Sequence, residues 1–109
     1  MDLTITSSTD ETNRSVLHLV GALDLATRSS LLDQARQTIS DASTTALVLN
    51  MAEIDFIDST GIGAVVELAG NASDADVDFV LQSLSPRVTR ILDLTGLIDA
   101  WPVEKLPVE

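Results

Sequence analysis

The spacing of apolar and polar positions changes several times along this chain, and each change marks an element. Leu3-Thr4-Ile5-Thr6 alternates with period two and predicts a short strand, ended by Ser7-Ser8-Thr9-Asp10. Val16 to Val20 predicts a second strand closed by Gly21, with a hairpin-like connection between the two. Leu31, Leu32, Ala35 and Ile39 then follow helical spacing, and Asp24 stands ahead of them as a candidate N-cap. Ala46 to Leu49 is continuously apolar, as in a strand covered on both faces. The run ends in Asn50, and a loop is expected from there to Ile57. Ile62, Val65, Val66 and Ala69 return to one helical face. Val77 to Leu81 predicts the next strand. Ser85-Pro86 predicts a helix start, with Ser as cap and Pro in the first helical position. Val88, Ile91 and Leu92 form that helix's inner face, and Gly96 sits where a left-handed terminal residue belongs. Leu97, Ile98 and Trp101 to Val103 predict a last strand, which Pro102 assigns to an edge.

The resulting order is β-β-α-β-α-β-α-β. Strands that alternate with helices after an initial hairpin imply an α/β fold: a mixed, largely parallel sheet with helices packed on it. A length of 109 residues suits one domain, residues 1–109, with one core. Only three residues are aromatic, so that core is aliphatic.

Charge narrows the choice of partners. Seventeen acidic residues against six basic ones give a formal charge of −11. Such a surface repels nucleic acid and anionic lipid and favours a partner with a basic face. Cysteine is absent, which removes disulfides, thiolate chemistry and most structural zinc sites. Met1 to Thr12 has no apolar stretch of the kind a signal peptide needs, and no run approaches the length that crosses a bilayer. A cytoplasmic protein with no membrane insertion is expected.

The candidate chemistry gathers at Ile57-Asp58-Ser59-Thr60-Gly61-Ile62-Gly63. Asp58 and Ser59 stand where a chain turns into a helix, the position at which side-chain oxygens accept from free backbone N–H groups. Gly61 and Gly63 in the first turn each cost about 1 kcal/mol relative to Ala. Close approach by another backbone or a phosphate offsets such a cost, and a partner protein's backbone is the expected one. Ser59 reads as a hydroxyl displayed at a helix N-terminus. It is not a hydrolase nucleophile. The nucleophile elbow needs Gly-x-Ser-x-Gly, and Ile57 occupies the first position; the sole histidine, His18, belongs to the second strand. Without a Gly-rich loop ending in Lys-Ser/Thr, nucleotide binding by that route is also excluded, and no cofactor is expected. Glu53, Asp55, Asp58 and Glu67 cluster around the turn, but no His or Cys joins them, so no metal site is expected. Met51, Phe56 and Ile57 are candidates either for the core or for an apolar docking patch beside Ser59.

Three blocks together resemble the STAS domain, and within it the bacterial anti-sigma factor antagonists. They are Gly21-Ala22-Leu23-Asp24; Leu47-Val48-Leu49-Asn50 with Ile57 to Gly63; and Leu84-Ser85-Pro86-Arg87-Val88 with Leu92 and Leu94-Thr95-Gly96-Leu97. Their order and spacing span nearly the whole chain. The sequence departs from the family where Ala22 replaces a frequent acidic residue, Asn50 a commoner Asp and Thr60 a frequent Ser.

The resemblance implies a regulator and not an enzyme. In its unphosphorylated form such a protein binds an anti-sigma factor of the GHKL serine-kinase type and frees a sigma factor. Phosphorylation of the serine that matches Ser59 switches binding off, and a PP2C-type phosphatase reverses it. The residues implied to meet the partner are Asp24, Asp58, Ser59, Thr60, Gly61, Ile62 and Gly63. The alternatives are a STAS accessory subunit of a membrane transport assembly and a signalling scaffold.

Overall fold

The computed structural model describes residues 2–105. Strands β1 (Leu3–Thr9) and β2 (Arg14–Leu23) form an antiparallel hairpin, with Leu3 opposite Gly21 and Thr9 opposite Ser15. Its turn is built by Asp10, whose carboxylate accepts from the backbone N–H of Thr12 at 2.8 Å and of Arg14 at 3.1 Å. Asn13 completes the turn at φ 63, a left-handed conformation that Asn tolerates better than most residues. Three β-α-β units follow: α1 (Arg28–Ser40), β3 (Ala46–Ile57), α2 (Ser59–Asp74), β4 (Asp78–Gln82), α3 (Pro86–Leu94) and β5 (Val103–Glu104). The sheet order is β1-β2-β3-β4-β5, and every pair after the hairpin is parallel. The expected mixed, largely parallel α/β architecture is the observed one.

Strands β2 to β5 step in one direction across the sheet, so right-handed crossovers carry all three helices to one face. Register partners share a face, and Leu17, Leu49 and Leu81 are partners. They are buried with Leu31, Leu32 and Ala35 of α1, Val65 and Leu68 of α2, and Val88 and Leu92 of α3 in one core. Glu67 of α2 ties α1 down by pairing with both Arg28 and Arg36 at 3.2 Å. Trp101 closes the far edge by packing edge-to-face on Phe79, with ring centroids 5.7 Å apart.

The opposite face carries the partners His18, Asn50, Gln82 and Glu104. Asn50 donates to Gln82 at 2.9 Å, Gln82 donates to Glu104 at 3.0 Å, and Arg14 pairs with Glu104 at 2.8 Å. An aspartate at position 50 could not donate to the Gln82 carbonyl, which accounts locally for the amide.

The strands run further than the sequence pattern indicates. β1 continues through Ser7, Ser8 and Thr9, whose backbone pairs with β2 although their side chains face solvent. β2 passes through Gly21 to Leu23. Gly21 is needed inside the strand, since its φ is +118 and an added Cβ would lie 2.2 Å from the Asp2 carbonyl oxygen. The largest correction concerns β3, which does not give way to a loop at Asn50 but runs on to Ile57. Two register shifts against β2 insert an extra residue in β3 each time, as bulges do. They break the in-out alternation, so that Met51, Ile54 and Ile57 are the buried positions. The last strand is shorter than expected: Leu97 and Ile98 lie outside it, and β5 holds only Val103 and Glu104.

Candidate functional site

Two distant parts of the sequence meet at the carboxyl ends of β2 and β3. Leu23 and Ile57 are paired, so the residues after them, Asp24 and Asp58, begin neighbouring loops. The backbone N–H of Asp58 reaches the Leu23 carbonyl at 3.4 Å. In a parallel sheet this end is where ligands and partners commonly bind.

Asp58 is the N-cap of α2. One carboxylate oxygen, Oδ1, accepts from the Gly61 backbone N–H at 3.0 Å and from the Thr60 hydroxyl at 2.6 Å. The Thr60 hydrogen bond foremost, then the Gly61 N–H, hold the Asp58 carboxyl below the usual carboxylate range, because both favour the charged form. Asp58 therefore caps the helix and holds Thr60. The Ser59 hydroxyl has no hydrogen-bond partner among the described residues, and its side chain is exposed. The turn thus has two hydroxyls, one tied and one free.

The two glycines beyond it do different jobs. Gly61 is buried, and a Cβ there would lie 2.3 Å from the Leu23 carbonyl oxygen and 2.9 Å from the Ile57 side chain. The backbone that comes close to Gly61 is thus that of β2 in the same chain, which corrects the expectation of a partner's backbone. Ile62 beside it is also buried, in the core under the turn. Gly63 is exposed, and nothing lies within 4 Å of a Cβ built there. Of the two, Gly63 alone leaves room for another molecule.

Asp24 does not cap α1. The helix begins at Arg28 behind Thr27, whose side chain makes no capping bond. Asp24 instead organises the preceding turn, accepting from the N–H of Ala26 at 3.0 Å and of Thr27 at 3.2 Å. The Thr27 hydroxyl donates to the Ala22 carbonyl at 2.8 Å and locks the turn onto β2. That turn exposes Leu25. The carboxylates grouped in sequence are dispersed in space. Glu53 lies 2.7 Å from His18 at ion-pair distance, though out of line for a hydrogen bond, while Glu67 binds the arginines of α1. Among the described residues no group of three or more His, Asp or Glu is placed to hold a metal ion.

Met51 and Ile57 are core residues, and Phe56 is half-buried beneath the Arg87 guanidinium, 5.7 Å from its ring centroid. Neither this contact nor the exposure of Leu94, further along α3, is visible in the apolar pattern. The available signal was an apolar residue off the inner face of that helix, four residues after Arg90.

An antiparallel hairpin followed by three β-α-β units, with a free hydroxyl on a capped helix start, defines the class. The STAS domain family matches residues 4–105, and the chain belongs to that family. It is 24% identical over 109 residues to the anti-sigma-B factor antagonist of Listeria monocytogenes, covering 100% of this chain and 95% of that one. It is 27% identical over 88 residues to the anti-sigma F factor antagonist of Paenibacillus polymyxa, covering 81% of this chain and 75% of the relative. Among solved structures, the anti-sigma factor antagonist SpoIIAA in its unphosphorylated form superposes with a TM-score of 0.79 at 20% identity, covering 95% of this chain and 89% of SpoIIAA. The phosphorylated form of Bacillus SpoIIAA gives 0.74 at 19% identity, covering 95% and 92%. At these identities the two structures speak for the fold. Among the described residues no helix is long and apolar enough to cross a membrane.

Proposed function

We propose that this chain is an anti-sigma factor antagonist that works by partner switching in the cytoplasm. Unphosphorylated, it binds an anti-sigma factor of the GHKL-kinase type and releases a sigma factor. Phosphate on Ser59 ends that binding, and a PP2C-type phosphatase restores it. The names of the relatives support the regulatory class, and the observation that carries the site is the untethered Ser59 hydroxyl on an already capped helix. Because Asp58 satisfies the Gly61 N–H and holds the Thr60 hydroxyl, Ser59 is free to accept a phosphoryl group without uncapping α2. The kinase brings the nucleotide, metal and base, since phosphoryl transfer rests on positioning and charge neutralisation around the nucleotide. The contact surface we infer is Asp24, Ser59 and Gly63, with Asp58 and Thr60 holding its shape and Gly61 and Ile62 supporting it from beneath.

The test is to capture partners with the Ser59→Ala chain and identify them by mass spectrometry, then incubate the wild-type chain with the captured kinase and ATP. The reading expects an anti-sigma kinase and a single phosphate mapped to Ser59. Phosphate on Thr60 or Ser85 would overturn the site, and capture of a transport ATPase in place of a kinase would overturn the function.

A further inference from the structure

The basic residues of this acidic chain are not used alike. Arg14, Arg28 and Arg36 each sit in an ion pair. Arg87 and Arg90 are in none among the described residues, and both are exposed on α3. With Leu94, 74% exposed, they follow helical spacing and share one face. Arg87 is steadied by Phe56, since its guanidinium carbon lies over that ring, 5.7 Å from the centroid. The pair forms the wall between two open grooves. One, of about 450 Å³, is lined by Ile57, Ile91 and Leu94. The other, of about 520 Å³, is lined by Ile54 and Pro86 together with the acidic Glu53 and Asp55, so the groove beside Leu94 is the one without a carboxylate.

We infer that the Arg87–Arg90–Leu94 face of α3 docks an acidic segment of a partner protein, carboxylates on the arginines and an apolar side chain in the groove beside Leu94. Charge complementarity selects the occupant. A second copy of this chain also carries −11 and is repelled as a whole. Nucleic acid and anionic lipid meet the same field, with too few free arginines to offset it. An acidic segment on a partner that is not itself strongly acidic fits, and two arginines can receive it bidentately. The face is continuous with the Ser59 turn through Phe56 and Ile57. A partner seated on both would meet carboxylates at Asp24 and guanidinium groups on α3, a pattern that fixes one orientation. Only the identity of the protein carrying this segment rests on the function proposed above.

The direct test titrates the isotope-labelled full chain with a short synthetic peptide bearing Glu and Leu at helical spacing, alongside a twin with Lys for Glu. Amide shifts should concentrate on Phe56, Ile57 and α3, fall with added salt, and weaken about tenfold or more in Arg87→Ala/Arg90→Ala. Leu94→Ala should weaken binding several-fold at unchanged salt dependence. Thermal melts of the variants, expected to match wild type, separate binding from folding. The inference is overturned if no α3 shifts appear, if the double variant binds equally well, or if the Lys twin binds the same face. Those results would leave phosphorylation at Ser59 untouched. Conversely, a Ser59 that accepts no phosphate would leave a positive peptide result standing.

Discussion

The starts of α2 and α3 solve one problem in two ways. Both helices need an acceptor for the N–H of their third residue. At α3 the acceptor is a hydroxyl, Ser85, which is buried, receives the Val88 N–H at 3.2 Å and is followed by Pro86. At α2 the acceptor is a carboxylate, Asp58, and the residue after it is an exposed serine. Where serine caps, its hydroxyl is consumed; where aspartate caps, the neighbouring serine is left free for chemistry. The difference explains why one of two similar helix starts suits modification, and why Thr60, bound to Asp58, differs from Ser59 one residue away.

The largest effect that would sharpen this contrast is at Gly61. Gly61→Val drives a branched side chain into the Leu23 carbonyl, and a loss of about 3 kcal/mol or more is expected. A thermal melt checks it; a variant as stable as wild type but defective in partner binding would return Gly61 to the interface. Next, Ser85→Ala should cost about 1–2 kcal/mol in denaturant unfolding by removing the cap of α3. It should leave the phosphate yield at Ser59 unchanged. A fall in that yield would break the division of labour between the two helix starts.

Smaller effects follow from pH and from the outer glycine. The folded-state pKa of Asp58 is lowered by the Thr60 hydroxyl and the Gly61 N–H, so its contribution is complete above the ordinary carboxylate range. It is lost as pH falls through that range, below about pH 4. Asn caps without titrating. Asp58→Asn and wild type should therefore differ less in melting temperature near pH 3 than near pH 7. A constant difference would remove the carboxylate from the cap. The smallest effect is at Gly63, where Gly63→Ala fills open space and should stabilise α2 by up to about 1 kcal/mol. If it also weakens partner capture, the outer side of the first turn is the contact side.

Much of this was legible because period and punctuation agreed. Asp58 and Ser85 cap the helices that their local pattern predicts, with Pro86 in the first turn and Gly96 at the end of α3. Gly96 has φ +76, with its N–H on Asp93 and that of Leu97 on Leu92, as a left-handed helix end requires. What was not legible depends on pairing between distant strands. The second half of β3 is hidden because two bulges destroy its alternation, so Ile54, Asp55 and Phe56 read as a loop. Gly61 carries the same local pattern as Gly63, and only the path of β2 tells a packing glycine from an exposed one. Asp24 has the local pattern of a helix cap because a turn and a helix start use the same residue type. Its closeness to Asp58 appears only once Leu23 is paired with Ile57.

The central claim is that a free hydroxyl on a precapped helix lets phosphate change binding without changing the fold. The most direct measurement compares affinity for the captured anti-sigma factor, and far-ultraviolet circular dichroism, between the chain phosphorylated at Ser59 and the unmodified chain. The helix N-terminus tolerates the added charge of about −1.5 to −2, so the spectra should coincide. Burying that charge against a partner carries a penalty of several kcal/mol, which predicts an affinity loss on the order of a hundredfold or more. Affinity within a few-fold of the unmodified chain, or a gross change in the spectrum, would contradict the account.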